Sequence, residues 1–241
     1  MIEKQNYRII LNLDFTFKCI ISYGLIVYNL ENCRWLLTQR KHSVEFLIYC
    51  SGDYRISGVP VLLMNMTSSE INEIKKCFQD PEYFQELYSS LQLDTADYLY
   101  ALERLKDSKE IVLEYTNNHQ INNELRWTWP KGRVDYDNQN ETGWECACRE
   151  FFEEVGVRLP EYELISNHPV IENFKTLDGK IIESRYWIVI IRNQFELPAD
   201  VSSNCEVCDR RWVTTSEVTQ LLKDHKLFNE VVKFTIDLEK T

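Results

Sequence analysis

The amino-acid sequence predicts an α+β fold, in which helices pack on a mixed β-sheet. Runs of β-branched and aromatic residues lie in both halves of the chain, and a long segment with helical periodicity separates them. A further helix is predicted between the strands of the second half. With 241 residues, of which 44% are hydrophobic, the chain is long enough to bury a substantial core.

Two strands are predicted to open the sheet. They cover Lys18–Asn29 and Cys33–Lys41, on either side of a short turn that contains Glu31 and Asn32. Residues 1–41 are therefore expected to form the first part of a domain that is completed later in the chain.

The segment from residue 42 to residue 123 is predicted to be a mainly helical insertion. Thr67–Glu70 is a capping box, which starts one helix. Asp80–Pro81 supplies an N-cap and a proline at the first position of the next helix. In the following segment apolar residues recur at helical spacing: Leu99, Leu102 and Leu105.

Strand character returns in residues 124–241, which are predicted to complete the domain. The strand-like runs are "LRWTW", then "HPVIENFKTL" and "KIIESRYWIVII" around a tight turn at Asp178–Gly179, and then "RRWVT". Thr214–Glu217 is another capping box, and an amphipathic helix, "NEVVKFTIDLEK", is expected after it.

Composition limits the classes of function. The net charge of -11 argues against a general polyanion-binding surface. No apolar run approaches the roughly 20 residues of a membrane span, and the first residues lack the features of a signal peptide. The expected location is cytoplasmic, with no membrane partner and no protein partner indicated.

The cysteines do not indicate a metal site. Eight cysteines without a secretory signal are expected to stay reduced. Cys205 and Cys208 have the spacing of half a zinc site, but a structural zinc site needs four ligands. Cys146 and Cys148 are expected to point to different faces of a helix. These four cysteines are interpreted as small buried hydrophobic residues.

The segment from Trp129 to Leu159 contains the highest density of candidate functional residues. A capping box at Thr142–Glu145 starts a helix, and Gly156 is suited to end it in the left-handed conformation. At about 100° per residue, three carboxylates share one face of this helix: Glu150, Glu153 and Glu154.

Two interpretations of this acidic face stay open on the helix alone. A solvated helix face is the more common origin of glutamate clusters. Carboxylates that converge on one point are also what a hard divalent cation requires. The glycine loop "PKGR" before the helix favours the second interpretation, because Gly132 can offer its backbone carbonyl to a metal beside a phosphate.

The segment resembles the Nudix box, G-x5-E-x7-R-E-U-x-E-E-x-G-U. Gly132, Glu141 and the run "REFFEEVGV" from Arg149 to Val157 match it. The departure is in the first spacing, where eight residues separate Gly132 from Glu141. We interpret this difference as a three-residue loop insertion, with the box at residues 132–157.

The resemblance implies a Nudix α/β/α sandwich, here with a helical insertion between the first strands and the box. It also implies hydrolysis of a nucleoside diphosphate linked to another group, with Mg²⁺ or Mn²⁺ as cofactor. The implied metal ligands are three glutamates and one carbonyl: Glu150, Glu153, Glu154 and Gly132. Arg149, assigned to the catalytic set, would pair with Glu141 to fix the loop to the helix.

Further residues are similar to those of Nudix enzymes that decap mRNA. "WPKGR" and "CACREFFEEVG" resemble their glycine loop and helix, and the segment from Glu206 to Trp212 resembles a motif that follows their sheet. The resemblance implies that Glu206 is a metal ligand or general base. An ordinary acidic residue at the entrance of a strand remains the alternative for Glu206.

The order of strands, helical insertion and box is similar to that of decapping enzymes of large DNA viruses, of the poxvirus and African swine fever virus kind. This implies a capped RNA substrate and, for a viral protein, the host cytoplasm. It also implies two aromatic rings around the methylated guanine. Tyr186 and Phe46 are the candidates, although a core position for Tyr186 is equally consistent with the sequence.

In the implied mechanism, Glu206 or Glu150 accepts a proton from the attacking water. Phosphate oxygens would be held by four basic residues: Lys131, Arg133, Arg40 and Lys41. Hydrolysis of small polyphosphates (diphosphoinositol polyphosphates or dinucleoside polyphosphates) and a catalytically silent binding module remain alternatives. RNA binding by the insertion rests on resemblance alone, because residues 41–124 carry a net charge of -7.

Overall fold

A computed structural model of the chain describes residues 20–121, 124–135, 140–175, 181–199 and 206–222. The strands in these ranges are β1 (Ile20–Asn29), β2 (Arg34–Arg40), β3 (Trp127–Thr128), β4 (Lys131–Gly132), β5 (Tyr162–Leu164), β6 (Val170–Lys175), β7 (Ile181–Ile191) and β8 (Val207–Thr214). The helices are α1 (Val44–Ser51), α2 (Val59–Asn65), α3 (Ser68–Gln79), α4 (Pro81–Ser90), α5 (Tyr98–Asn118), α6 (Gly143–Val155) and α7 (Thr215–Leu221). The predicted last helix, the turn at Asp178–Gly179 and Cys205 lie outside these ranges.

The described strands form one mixed sheet around a parallel pair, β1 and β7. These two strands stay in register over ten residue pairs, from Ile20 opposite Ile182 to Asn29 opposite Ile191. The other pairs are antiparallel: β2 and β4 with β1, β3 and β8 with β2, and β5 and β6 with β7. The predicted α+β class, with a mixed sheet packed by helices, is confirmed.

Both faces of the sheet are buried, which explains why β1 is apolar along most of its length. Leu25 and Val27 face α6 and pack with its apolar side, while Ile26 and Tyr28 face a second cluster that includes Trp35. On α6 itself, the buried residues include Ala147, Phe151 and Val155. Phe152, one position beyond the buried Phe151, is 47% exposed.

The described part of the segment between β2 and β3 contains five α-helices and two short 3-10 helices, with a hydrophobic core of their own. The caps predicted at Thr67 and Asp80 are observed at the starts of α3 and α4. Of the three leucines expected on the helical stripe of α5, Leu105 is buried, whereas Leu99 is 76% exposed. Ala101 is also buried. No described helix is both long enough and apolar enough to cross a membrane.

Glu70 joins this helical segment to the end of β2. Its carboxylate is 4% exposed and accepts hydrogen bonds from the Ser43 backbone (2.6 Å) and hydroxyl (3.0 Å). It also accepts the Thr67 backbone N–H at 2.8 Å, which completes the capping box of α3. Because Ser43 caps α1, one carboxylate fixes two helix starts.

The cysteines follow the sequence interpretation only in part. Cys146 is buried and Cys148 is partly buried, as expected for residues on different sides of α6. Cys208 is exposed, so the interpretation of this residue as a buried hydrophobic one is wrong. It lies on β8, and its thiol approaches the backbone carbonyls of Gln39 and Arg40 at 3.4 Å.

Candidate active site

Helix α6 is fixed at both ends and along one side. At its start, Thr142 and Glu145 exchange the two hydrogen bonds of a capping box. At its end, Gly156 adopts φ 82°, the left-handed conformation that favours glycine. The apolar side packs on β1 and β2, so the acidic side is held along the edge of the sheet.

The glycine loop brings β4 against the acidic side of α6. Gly132 pairs with Tyr23 of β1, and the carboxyl carbon of Glu150 lies where a side chain at Gly132 would begin: an added Cβ would be 2.0 Å from it. No side chain fits there without displacing Glu150. The Gly132 backbone is therefore in close contact with the Glu150 carboxylate, and the metal-ligand role of its carbonyl stays a prediction.

Arg149 connects the loop to the helix. Its guanidinium donates two hydrogen bonds to Glu141, at 2.8 and 3.1 Å, and one to the Arg133 carbonyl at 2.7 Å. It also donates to Glu150 at 2.8 Å and to Glu153 at 3.0 Å. The expected pairing of Arg149 with Glu141 is confirmed, so the three-residue loop insertion leaves this contact intact.

Glu154 is the most deeply buried carboxyl group of the cluster, with 5% of its surface exposed. It accepts the Lys131 backbone N–H at 3.1 Å and the Thr38 hydroxyl at 3.5 Å. Burial raises the pKa of Glu154 to about 8; Glu150 contributes to the rise and Arg40 opposes it. Burial also raises the pKa of Glu150, against the opposing effect of Arg149.

Glu206 lies beside these carboxylates, although it is distant in sequence. It contributes to the raised pKa of both Glu150 and Glu154. Its own carboxylate pairs with Arg40 at 2.5 Å, and its backbone carbonyl accepts the Lys41 N–H at 2.7 Å. The start of β8 and the end of β2 are thereby held together at the edge of the site.

The chemistry of this donor set suits Mg²⁺ or Mn²⁺. Burial disfavours the charged forms of Glu150 and Glu154, and a divalent cation would compensate both charges. Within the described ranges, no three acidic, histidine or cysteine side chains already converge on one metal-sized point. Glu150 and Glu153 are paired with Arg149, and Glu206 is paired with Arg40. A bound metal would share these carboxylates with the arginines.

The four residues predicted to bind phosphate border the carboxylates in different ways. The Lys131 ammonium donates to the Ser184 hydroxyl at 3.0 Å, and the side chain of Arg133 is exposed. Arg40 is engaged with Glu206, whereas the neighbouring Lys41 side chain is exposed. Lys131 is adjacent to Gly132 on β4, so its side chain points to the face of the sheet opposite Glu150. Phosphate binding by Lys131 and Arg133 stays a prediction.

The expected aromatic pair for the cap does not agree with the structure. Tyr186 and Phe46 are both 0% exposed, and they lie in different hydrophobic clusters. Tyr186 packs in the sheet core, and Phe46 packs in the helical segment, where it stacks on His42 at 5.2 Å. Because neither ring has an open face, this pair cannot hold a guanine between its rings in this structure.

Two residues of the site were missed in the sequence. Thr38 is fully buried on β2, and its hydroxyl donates to Glu154. The sequence signal for Thr38 is that a polar residue lies two positions after Leu36, on the side of the strand that faces the core. Cys146 lies between the loop and the helix, with its thiol 3.9 Å from the Gly132 carbonyl. No local pattern marks Cys146, because its role depends on a loop that folds back onto the helix.

Comparison with known families decides what this arrangement is. The family model for the NUDIX domain matches residues 104–233, more than half of the chain. The chain belongs to the Nudix family. The carboxylates of α6 are therefore the candidate catalytic centre of a Nudix hydrolase. The family match begins inside α5, although β1 and β2 lie in the same sheet as the matched strands.

Relatives of this Nudix protein are distant. A protein of Acanthamoeba polyphaga mimivirus, named "Putative mRNA-decapping protein", is 22% identical over 227 residues, which cover 80% of this chain and 61% of that protein. The chain thus spans about three fifths of the length of this relative.

Solved structures show weak likeness to the whole chain. The C. elegans Ap4A hydrolase binary complex is 15% identical with a TM-score of 0.48, and covers 92% of this chain and 99% of its own. The E. coli dihydroneopterin triphosphate pyrophosphohydrolase is 12% identical with a TM-score of 0.44, and covers 91% and 99%.

Proposed function

We propose that this Nudix hydrolase decaps mRNA: it cleaves the pyrophosphate bond of the 5′ cap and releases 7-methyl-GDP and RNA with a 5′-monophosphate. The alignment with the mimivirus protein carries the proposal. It takes in 80% of the chain, more than the family match of residues 104–233, so it also includes residues before position 104. A likeness limited to the Nudix box would not extend that far.

The carboxylates of α6 supply the chemistry that this reaction needs. Glu150, Glu154 and Glu206, with the Gly132 carbonyl, would hold Mg²⁺ or Mn²⁺. When bound, such a cation neutralises phosphate charge and lowers the pKa of water. Glu153 would join this set if its carboxylate left Arg149 and bound the cation. Proton transfer and phosphate binding are assigned to side chains of the protein.

Proton transfer is assigned to Glu206 or Glu150. Glu206 has the more exposed carboxylate, with 69% of its side-chain surface accessible, and can reach a water that enters from solvent. Glu150 is held by Arg149, which fixes its orientation beside Gly132. Lys131 and Arg133 would bind phosphate oxygens of the bridge.

The proposal is tested by measuring kcat/KM for cap-labelled RNA with Mg²⁺ or Mn²⁺, beside free cap analogue, a dinucleoside polyphosphate and a diphosphoinositol polyphosphate. Glu154→Gln removes a carboxylate of the centre. Glu161→Gln is the matched control, because Glu161 is exposed and lies beyond the end of α6.

Capped RNA is expected to have the highest kcat/KM, with a loss of at least about 100-fold in Glu154→Gln and none in Glu161→Gln. Cleavage of the small molecules alone would contradict decapping and make the chain a small-polyphosphate hydrolase. No cleavage of any substrate would favour a silent binding module.

A further inference from the structure

A row of residues crosses four strands and ends at the catalytic centre. Gly132 of β4 lies opposite Tyr23 of β1, Tyr23 lies opposite Arg185 of β7, and Arg185 lies opposite Ile171 of β6. Side chains at directly paired positions point to the same face of a sheet. Because a Cβ on Gly132 would point at Glu150, this row faces the acidic side of α6.

The side chains of this row are accessible beyond Gly132. Tyr23 is partly exposed, the Arg185 side chain is 35% exposed and Ile171 is 52% exposed. The Arg185 guanidinium lies 5.8 Å from the centre of the Tyr23 ring. The Trp187 ring, partly exposed, stacks with the Tyr23 ring at a centroid distance of 6.2 Å and an interplanar angle of 24°.

The start of α6 packs against the Tyr23 ring. A Cβ on Gly143, the first residue of α6, would be 2.5 Å from this ring, so the helix start is in contact with it. Trp144 packs edge-on against Trp187 at 5.6 Å. The rings therefore form a rigid surface, which we call the aromatic shelf: Tyr23, Trp187, Arg185 and Ile171.

We propose that the aromatic shelf binds a nucleoside attached to the pyrophosphate that is cleaved. A base can stack on aromatic rings, and an arginine can bind the attached phosphate or stack on the base. The shelf begins one strand away from Gly132, a separation that a single nucleotide can span. The Arg185 guanidinium also donates to Glu183 at 2.6 Å, so a bound phosphate would share this arginine with the Glu183 carboxylate.

This assignment deepens the proposed function and rests on cleavage at the α6 carboxylates. The nucleoside could come from the cap or from the first RNA nucleotide. Both present a stacking base joined to phosphate, which is the chemistry that the shelf recognises.

The test compares binding of guanosine 5′-(α,β-methylene)diphosphate with that of methylenediphosphonate, which lacks the nucleoside, by calorimetry with Mg²⁺. The nucleoside should tighten binding by about tenfold or more, and Tyr23→Leu or Arg185→Gln should remove most of this gain. Tyr23→Phe, which keeps the ring, should retain it. The matched controls are Tyr100→Leu and Arg192→Gln, an exposed ring of α5 and an exposed arginine outside the shelf.

Equal binding of the two compounds by the wild-type chain would overturn the proposal, and so would a gain that persists in both Tyr23→Leu and Arg185→Gln. If the 7-methylguanosine compound binds more tightly than the guanosine compound, the shelf takes the cap nucleoside; equal binding of guanosine and adenosine compounds indicates the RNA side.

Failure of decapping is a separate result. If capped RNA is not cleaved but the nucleoside gain depends on Tyr23, the shelf stands and the decapping proposal falls. If capped RNA is cleaved with the same KM by Arg185→Gln and Tyr23→Leu as by the wild type, the shelf is contradicted and decapping stands.

Discussion

The contact between Gly132 and Glu150 is the tightest constraint on the candidate active site at the level of single residues. A methyl group at Gly132 would collide with the Glu150 carboxylate, the movable end of a side chain, so Glu150 can give way without unfolding the loop. At Gly24 the same methyl group would lie 2.4 Å from the backbone oxygen of Pro130, which cannot move independently.

We therefore expect Gly132→Ala to lower kcat strongly while changing the free energy of unfolding by less than about 1 kcal/mol, and Gly24→Ala to cost about 1–3 kcal/mol of stability. Gly58→Ala is the control, because a methyl group there meets no atom within 4 Å. Denaturant unfolding and initial rates measure both quantities. Full activity in Gly132→Ala would show that the position of Glu150 is not critical.

The ion pair of Glu141 with Arg149 should make stability depend on pH. Arg149 holds the pKa of Glu141 below its usual value. The pair therefore stabilises the fold above the unfolded carboxyl pKa of about 4.3, and this stability is lost as the pH falls through the lower folded pKa.

Glu141→Gln should thus cost about 1–3 kcal/mol near neutral pH, and the difference from the wild type should shrink below pH ~4. Urea unfolding at a series of pH values measures it, with Glu161→Gln as the control. A difference that stays constant down to acid pH would contradict the ion-pair account.

For single residues, some positions could be predicted from the sequence and others could not. The resemblance to the Nudix box implied the pairing of Glu141 with Arg149 correctly, because both residues belong to that one motif. Tyr186 was not placed correctly. Around Tyr186 its strand alternates between buried and partly exposed positions. The sequence alone does not show which of the two sets faces the core and which faces a ligand.

At the scale of elements, α6 owes its position to its cap as well as to its apolar side. Thr142→Ala removes the N-cap and should cost about 1 kcal/mol, or roughly 2–4 °C in Tm for a chain of this size. Because the helix start follows directly on Glu141, kcat/KM should also fall. Thr142→Ser should restore both quantities.

Thr214→Ala gives the matched comparison, since Thr214 caps α7 with the same kind of box. It should lower Tm to a similar extent without lowering kcat/KM. Equal effects of the two substitutions on kcat/KM would contradict a specific link between the α6 cap and the site.

Helix starts were the elements best predicted from sequence. The boxes at Thr67, Thr142 and Thr214 are all observed, because a capping box is a contact within four residues. The exposed positions of Leu99 and Phe152 were not predicted. Helical spacing shows that a helix has an apolar side, but the neighbouring elements decide how wide the buried stripe is.

For the whole molecule, the helical segment and the sheet have separate hydrophobic cores. Ile74→Ala opens a cavity in the core of the helical segment and should lower the free energy of unfolding by about 2–5 kcal/mol. We expect hydrogen exchange to become faster in α1–α5 and to change little in β1 and β7. Val189→Ala, in the sheet core, should have the opposite pattern, and uniform acceleration in either variant would show a single cooperative core.

The helical segment between β2 and β3 could be predicted from the change from strand to helical periodicity along the chain. The connection through Glu70 could not, because a capping box gives no sign that its glutamate also binds the cap of another helix. Likewise, the approach of Glu206 and Arg40 to α6 depends on the pairing of β8 with β2, which no local pattern encodes.

The most direct test of the central claim is the identity of the product released from cap-labelled RNA with Mg²⁺ or Mn²⁺. The account predicts 7-methyl-GDP, its loss when the metal is chelated, and its loss in Glu154→Gln, in which hydrogen exchange shows the fold to be intact. Release of 7-methyl-GMP instead, or release of 7-methyl-GDP that persists in Glu154→Gln, would contradict it.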